Sequence, residues 1–410
     1  MLNELLQHNA THVALSDAHG TLTYGALNDA VAKLADRFGV LRVRTAGVFA
    51  LDIPDSTAWV IADLACMSAA IPTLPIPPFF TAAQREHVMR DAGATVCIRG
   101  RGLDVVETGF APRLLPQGTA KITYTSGTTG TPKGVCLSAE NMLHKARMIR
   151  AALGDDLIQH HRCLLPLSVL LENVAGVYVA LLAGAQITLG VPDYTPQNLA
   201  KALNDSHATS CILVPELLKA LLASHQQFPD LRYAAVGGAH VPAAWLARAR
   251  DAGIPVYEGY GLSENCSVVT LNTPQHDRVG SCGKTLGDTS FSIASDGEII
   301  LHNPAFLGYV GDKAAAKDFA TGDLGNIDTQ GFLRIMGRKK NVIITSYGRN
   351  LSPEWVEALL VSQPGIQQAV LFGDGRPFNS AVIVTADPIL ASKAIRSANA
   401  QLPDYAHVGA

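Results

Sequence analysis

Charge is scarce in this chain. Of its 410 residues only 16% are Asp, Glu, Lys or Arg, and their formal sum is −3. No run of like charge occurs, which removes the electrostatic footprint expected of a nucleic-acid binder or of a protein held to an anionic membrane. Paired cysteines are missing as well. The seven cysteines, at 66, 97, 136, 163, 211, 266 and 282, contain no C-x-x-C spacing, and their odd number argues against a complete disulfide framework and for a reducing, cytoplasmic setting. The first residues, MLNELLQHNATH, lack the basic segment and apolar core of a secretion signal. Residues 173–192 carry no charge and are long enough to raise the question of a membrane span. Gly184, Gln186, Thr188 and Gly190 divide them into a helix and a strand, so no integral span is expected.

What is abundant is apolar: 48% of the residues are hydrophobic, as in an enzyme with large buried sheets, and the length exceeds what one core organises. A strand at Leu22 to Tyr24 precedes a helix from Ala26 to Phe38, whose Leu27, Val31, Leu34 and Phe38 recur at helical spacing. A strand at Val48 to Leu51, an alanine-rich helix at Ala58 to Ala70 and a further helix from about Thr81 continue the alternation. This order predicts an α/β fold with mostly parallel sheet covered on both faces. Later strands are expected at Cys211 to Val214 and Tyr233 to Val236, and short strands between residues 280 and 337, with Asp296-Gly297 as a hairpin turn.

The stretch from Tyr124 to Val135, YTSGTTGTPKGV, gathers hydroxyls, glycines and one lysine behind the strand Lys121 to Tyr124. Glycines let successive backbone N–H groups converge on an anion, the hydroxyls of Thr125, Ser126, Thr128 and Thr129 add donors, and Lys133 adds a point charge. Phosphate is the expected ligand. The stretch is not the G-x-x-x-x-G-K-[ST] loop, because Lys133 follows Pro132 and precedes Gly134. Gly237-Gly238-Ala239 closes a strand, where it permits either a flat ligand against the backbone or a tight turn. Glu264, in PVYEGYGLSE, is a hard oxygen ligand suited to Mg²⁺.

Taken together these stretches resemble the adenylate-forming (AMP-binding) superfamily of acyl- and aryl-CoA synthetases, peptide-synthetase adenylation domains and luciferases. Residues 124–135 match its signature loop, Tyr260 to Glu264 its YGxTE motif with Ser263 for threonine, Thr321-Gly322-Asp323 its TGD, and Gly337 to Asn341 its hinge. The resemblance implies a large N-terminal lobe of doubly wound mixed sheets at 1–339 that includes a β-rich subdomain at about 280–337. A small, mobile α+β lobe at 340–410 follows, swinging about Lys340.

It further implies ATP and Mg²⁺ as cofactors and a small carboxylic acid as substrate, with coenzyme A or the phosphopantetheine of an acyl-carrier protein as thiol. On this reading Lys133, Ser263, Glu264 and Arg338 act in catalysis, with Glu264 holding the metal. Thr125, Ser126, Gly127, Thr128, Thr129, Gly130, Gly237, Gly238, Ala239, Glu258, Gly259, Tyr260, Gly261, Asp323 and Arg338 bind the nucleotide. Tyr260 offers adenine a face and Asp323 receives the ribose hydroxyls. Ser168, Val169 and Gly237 border the acid, and the loop of Ser346, Tyr347 and Gly348 serves the thiol step.

LLPLSVLLENVAG resembles the fatty-acid branch, with Val169 where relatives hold histidine. The apolar run Val169, Leu170, Leu171, Val174 and Val177 favours a fatty or aryl acid over an amino acid. Glu172 is the one carboxylate there that could meet a substrate ammonium. Beyond Pro353 the only lysine is Lys393, not in the G-K context the family uses for adenylation, and the C-terminal lobe reads as truncated. A non-catalytic acyl-adenylate or nucleotide-binding protein is therefore one alternative expectation, and an adenylation domain for an amino acid is the other.

Overall fold

The computed structural model describes residues 3–45, 47–125, 132–312 and 314–409. Two large sheets organise them. One has nine strands in the order Lys284–Thr285, Ser267–Leu271, Val256–Leu262, Tyr233–Val236, Ser210–Leu213, His160–Arg162, Gln186–Thr188, Val13–Asp17 and Gly20–Thr23. Its six central strands run parallel and its flanks antiparallel. The second has seven strands, ordered Phe306–Tyr309, Lys133–Ser138, Thr119–Thr125, Thr73–Pro75, Val48–Asp52, Ala94–Arg99 and Asp104–Glu107. The expected alternation is present. The helix Tyr24–Thr45 buries Leu27, Val31, Leu34 and Phe38 along one stripe, and Ser138 caps the helix Ala139–Leu153 by accepting the Asn141 amide at 3.0 Å.

The segment 280–337 departs from a single β-rich unit. Ser290–Ile293, Glu298–His302, Asp318–Ile327 and Leu333–Arg338 form an antiparallel sheet. Lys284–Thr285 instead ends the nine-stranded sheet, and Phe306–Tyr309 crosses to pair with Lys133–Ser138. After Arg338 come the short pair Ile343–Ile344 and Asn350–Leu351, the helix Pro353–Ser362, the hairpin Gln368–Phe372 with Ser380–Val384, and the helix Pro388–Asn399. Among the described residues no helix is long and apolar enough to cross a membrane.

The segment expected to be a plain apolar helix is different in kind. Leu171–Tyr178 is wound as a π-helix that passes into the α-helix Val179–Leu182, and Glu172 and Asn173 are as buried as its valines. The wider π turn supplies room for polar side chains that an α-helical turn would crowd. Gly176 leaves space for them, since a Cβ there would stand 2.4 Å from Glu172 Oε1 and 2.7 Å from His161 Nε2.

Asn173 joins a second buried group. The Lys121 ammonium, 2% exposed, lies 2.8 Å from Asp63 Oδ1 and donates to Tyr178 Oη at 2.9 Å and to Asn173 Oδ1. Tyr178 in turn donates to Asp63 Oδ2 at 2.7 Å. Burial pulls the Lys121 ammonium below its usual range, and the Asp63 charge opposes that shift. Removing one member of such a pair strands the other charge in the core. We therefore expect Lys121→Ala to lose about 3–5 kcal/mol, read as a lower midpoint in urea unfolding, whereas Lys121→Met combined with Asp63→Leu loses less.

Candidate active site

The strand Thr119–Thr125 of the seven-stranded sheet pairs with Lys133–Ser138, and its Thr123, Tyr124 and Thr125 share one lined space with Val214 and Gly237, which follow the parallel strands Ser210–Leu213 and Tyr233–Val236 of the nine-stranded sheet. Ser126, Gly127, Thr128, Thr129 and Gly130 lie outside the described residues. A cavity of about 560 Å³ opens between these elements. Thr125, Gly259, Tyr260, Gly261 and Ser263 line its mouth, Gly237 and Gly238 one side, and Ser168 and Val169 the other. The carboxyl end of one strand and the start of the π segment thus border one space, as the sequence suggests. Ile149, Leu153 and Ile158 close the back.

Backbone packing shapes the mouth. The strand Val256–Leu262 lies so close to Ser267–Leu271 that a Cβ on Gly261 would sit 1.7 Å from the Ser267 carbonyl oxygen. The glycine in YGLSE is therefore required by its neighbour strand, whatever binds in front of it.

Two polar chains flank the mouth. In the first, Tyr260 Oη donates to Asp323 Oδ2 at 2.7 Å, and Arg338 Nε meets Asp323 Oδ1 at 2.6 Å. Asp323 is buried and Arg338 half-exposed. Burial and then the Asp323 charge push the Tyr260 phenol up, so it stays a donor. Each Asp323 oxygen keeps a second lone pair for a ligand hydroxyl. In the second chain, Tyr309 Oη donates to Glu264 Oε1 at 2.8 Å, and the Lys133 ammonium stands 5.3 Å from the Tyr309 ring centre. Tyr309 has no counterpart among the residues expected from sequence. Its one signal is its place in a Gly-Tyr pair between two β-forming stretches.

Of these groups only Tyr260 lines the cavity itself; Asp323 and Arg338 join it through the Tyr260 phenol, and Lys133, Glu264 and Tyr309 do not line it, Glu264 following the lining residue Ser263. Other expected residues lie elsewhere. Glu258 does not line the cavity: it is buried against the Cys282 thiol at 3.6 Å. Ala239 is exposed beyond the cavity wall. Ser346, Tyr347 and Gly348 form an exposed turn between Ile343–Ile344 and Asn350–Leu351, where the Ser346 amide donates to Arg376 O at 3.0 Å. None of the three lines the cavity.

Glu172 is consumed internally. Its Oε1 accepts from His161 Nε2 at 2.8 Å and its Oε2 from the Leu165 amide at 3.0 Å, with no solvent exposure. It is in no position to partner a substrate ammonium without breaking those bonds. His161, Cys163 and Glu172 also place ligand atoms within 4.8 Å of one another, but the hydrogen bonds already satisfy the carboxylate.

A family model described as AMP-binding enzyme matches residues 3–120 and 109–304, and another, AMP-binding enzyme C-terminal domain, matches 340–409. The chain belongs to this AMP-binding enzyme family, the adenylate-forming superfamily. It is 31% identical over 274 residues to the 2-succinylbenzoate–CoA ligase of Bacillus licheniformis, covering 62% of this chain and 56% of that protein. It is 32% identical over 332 residues to a long-chain-fatty-acid–CoA ligase of Mycobacterium tuberculosis, covering 66% and 54%. The chain thus spans little more than half the length of the first curated relatives it matches, 56% and 58%. Two solved structures share the fold. An anthranilate CoA ligase bound to anthranoyl-AMP superposes with a TM-score of 0.88 at 20% identity, covering 99% of this chain and 91% of its own. The o-succinylbenzoate CoA synthetase of Bacillus subtilis, with ATP and magnesium ion, gives 0.85 at 22%, covering 100% and 94%.

Glu258 makes a stability prediction of its own. Burial pushes its carboxyl from 4.5 up to about 8, against the Cys282 thiol and the Val241 amide. The folded protein therefore holds a proton that the unfolded chain releases above its ordinary carboxylate range, and this contribution is full at low pH and lost as pH rises through the folded value. Thermal melts from pH 4.5 to pH 8 should decline in the parent and flatten in Glu258→Gln.

Proposed function

We propose that the protein activates a carboxylic acid with ATP and transfers the acyl group to a thiol. The observation that carries this reading is the Tyr260–Asp323–Arg338 chain at the mouth of an apolar cavity, one polar end for a nucleoside and one apolar end for an acid. The substrate carboxylate attacks the α-phosphorus of ATP, and the bond to the bridging oxygen breaks to release pyrophosphate. A thiol, that of coenzyme A on the CoA-ligase reading or of a carrier protein, then attacks the acyl carbon and AMP leaves. Alignment and charge neutralisation are the protein's contribution.

In this reading Lys133 and the hydroxyls of residues 125–129 meet the phosphates, Asp323 holds the ribose and Ser263 a phosphate oxygen. Glu264 fits Mg²⁺ as a hard oxygen ligand with one carboxylate oxygen presented. The ion, when bound, neutralises phosphate charge. Residues 340–410 form the moving lobe about Lys340, and the exposed Ser346–Gly348 turn is the part that reaches the site for the thiol step.

The acid we propose is fatty or aryl. From Tyr233 to Gly237 the wall of the cavity spans about 13 Å at strand rise, and its sides are apolar. The Glu172–His161 pairing speaks against an amino-acid substrate. Pyrophosphate release with a panel of medium-chain fatty acids, long-chain fatty acids, benzoates and amino acids tests the reading. We expect release with a fatty or aryl acid, and selective use of an amino acid would overturn the assignment. Lys133→Ala and Glu264→Ala should abolish most of that release while leaving the melting temperature near the parent's, because Lys133 is an exposed site residue and neither side chain belongs to the apolar core. Asp323→Ala should weaken AMP binding about tenfold or more, the loss of a charge-assisted hydrogen bond, as read by calorimetry.

A further inference from the structure

Tyr309 reaches the site only because its strand leaves the neighbouring antiparallel sheet. Phe306–Tyr309 pairs with Lys133–Ser138, with Tyr309 opposite Val135, and the Val310 amide donates to the Gly134 carbonyl at 2.8 Å. The ring packs edge-on against Phe306 with centres 5.2 Å apart. That fixes the phenol between two groups of opposite charge that come from separate parts of the chain. One is Glu264, on the short turn Ser263–Asn265, which takes the phenol proton at 2.8 Å on Oε1. The other is Lys133, whose ammonium stands 5.3 Å from the ring centre.

A carboxylate that accepts a hydrogen bond on one oxygen is held in one orientation, and its other oxygen points in a set direction. Glu264 Oε2 carries no hydrogen bond from any described residue. An ammonium facing an aromatic ring is steered by the ring's quadrupole.

We infer that Tyr309 is a positioning residue: it presets Glu264 to offer a single oxygen to a divalent cation and holds Lys133 on the same side, so that a metal–nucleotide complex meets both groups already arranged. This rests on the reading of Glu264 and Lys133 given above. It adds a third residue, which touches neither nucleotide nor acid and acts through the other two.

The two functions of the side chain can be separated. Tyr309→Phe keeps the ring beside Lys133 and removes the hydroxyl. The Mg²⁺ concentration giving half-maximal ATP binding in calorimetry should rise about tenfold, the usual effect of losing a group that orients a metal ligand. Binding of AMP without metal should not change. Tyr309→Leu removes the ring as well and should weaken ATP binding at saturating Mg²⁺ a further two- to fivefold or so. In a Glu264→Ala background Tyr309→Phe should have no additional effect on the Mg²⁺ requirement, an outcome that a merely structural tyrosine would not give. Thermal melts of each variant check folding.

An unchanged Mg²⁺ requirement in Tyr309→Phe, or an equal loss in the Glu264→Ala background, overturns this inference alone. A parent protein that binds neither ATP nor AMP overturns the functional reading and this inference with it.

Discussion

The buried ion pair between Lys121 and Asp63 is the contact on which the arrangement of the site depends. Lys121 belongs to the strand that leads into the phosphate-loop sequence, Asp63 to the helix Thr57–Ser68, and Asn173 and Tyr178 to the π segment on the cavity's flank. Two charges taken out of water are tolerated only where each finds a partner and further hydrogen bonds. Here they find them only if strand, helix and π segment hold their relative positions. The polar cluster thus fixes the distance between the loop proposed for the phosphates and the wall proposed for the acid.

A second constraint comes from the exchanged strand. A hairpin whose tip must approach a ligand leaves an open edge on the side away from the sheet, and an open edge invites pairing. Phe306–Tyr309 covers that edge along Lys133–Ser138. In doing so it carries an aromatic hydroxyl from far along the chain to Glu264, next to Ser263 of the cavity lining. Edge protection and site construction are here one feature.

The mouth and the interior divide their chemistry. Around the mouth the charged groups are linked through phenols, Tyr260 bonded to Asp323, which also pairs with Arg338, and Tyr309 between Glu264 and Lys133. Phenols held protonated by burial donate without adding charge, so they orient carboxylates and leave the net charge of the mouth unaltered. Behind the mouth Glu172 is satisfied by His161 and the Leu165 amide, whereas the Ser168 and Ser267 hydroxyls in the lining are buried without a hydrogen-bond partner among the described residues. A substrate entering that space meets apolar surface, and its reward for burial scales with the apolar area it brings.

What the sequence determined by itself was whatever is encoded locally. The stripe of Leu27, Val31, Leu34 and Phe38 and the strand ending at Val236 are set by side-chain period and by neighbours a few residues away. The short motifs of the site were legible for the same reason, since each is a run of adjacent residues with a recognisable order. Tertiary structure decided what depends on distant partners. Glu172 and Asn173 sit in a stretch that reads as plain apolar helix. Only His161, Asp63 and Lys121, brought in from other strands and helices, make burying them possible and draw the segment into a π turn. Tyr309 carries no local mark of its place beside Glu264, because a strand's choice of sheet is settled by which edge remains open. Glu258 shows the converse: its motif put it at the site, but its side chain is buried against the Cys282 thiol, a partner from a distant part of the chain, while Gly259, Tyr260 and Gly261 line the cavity.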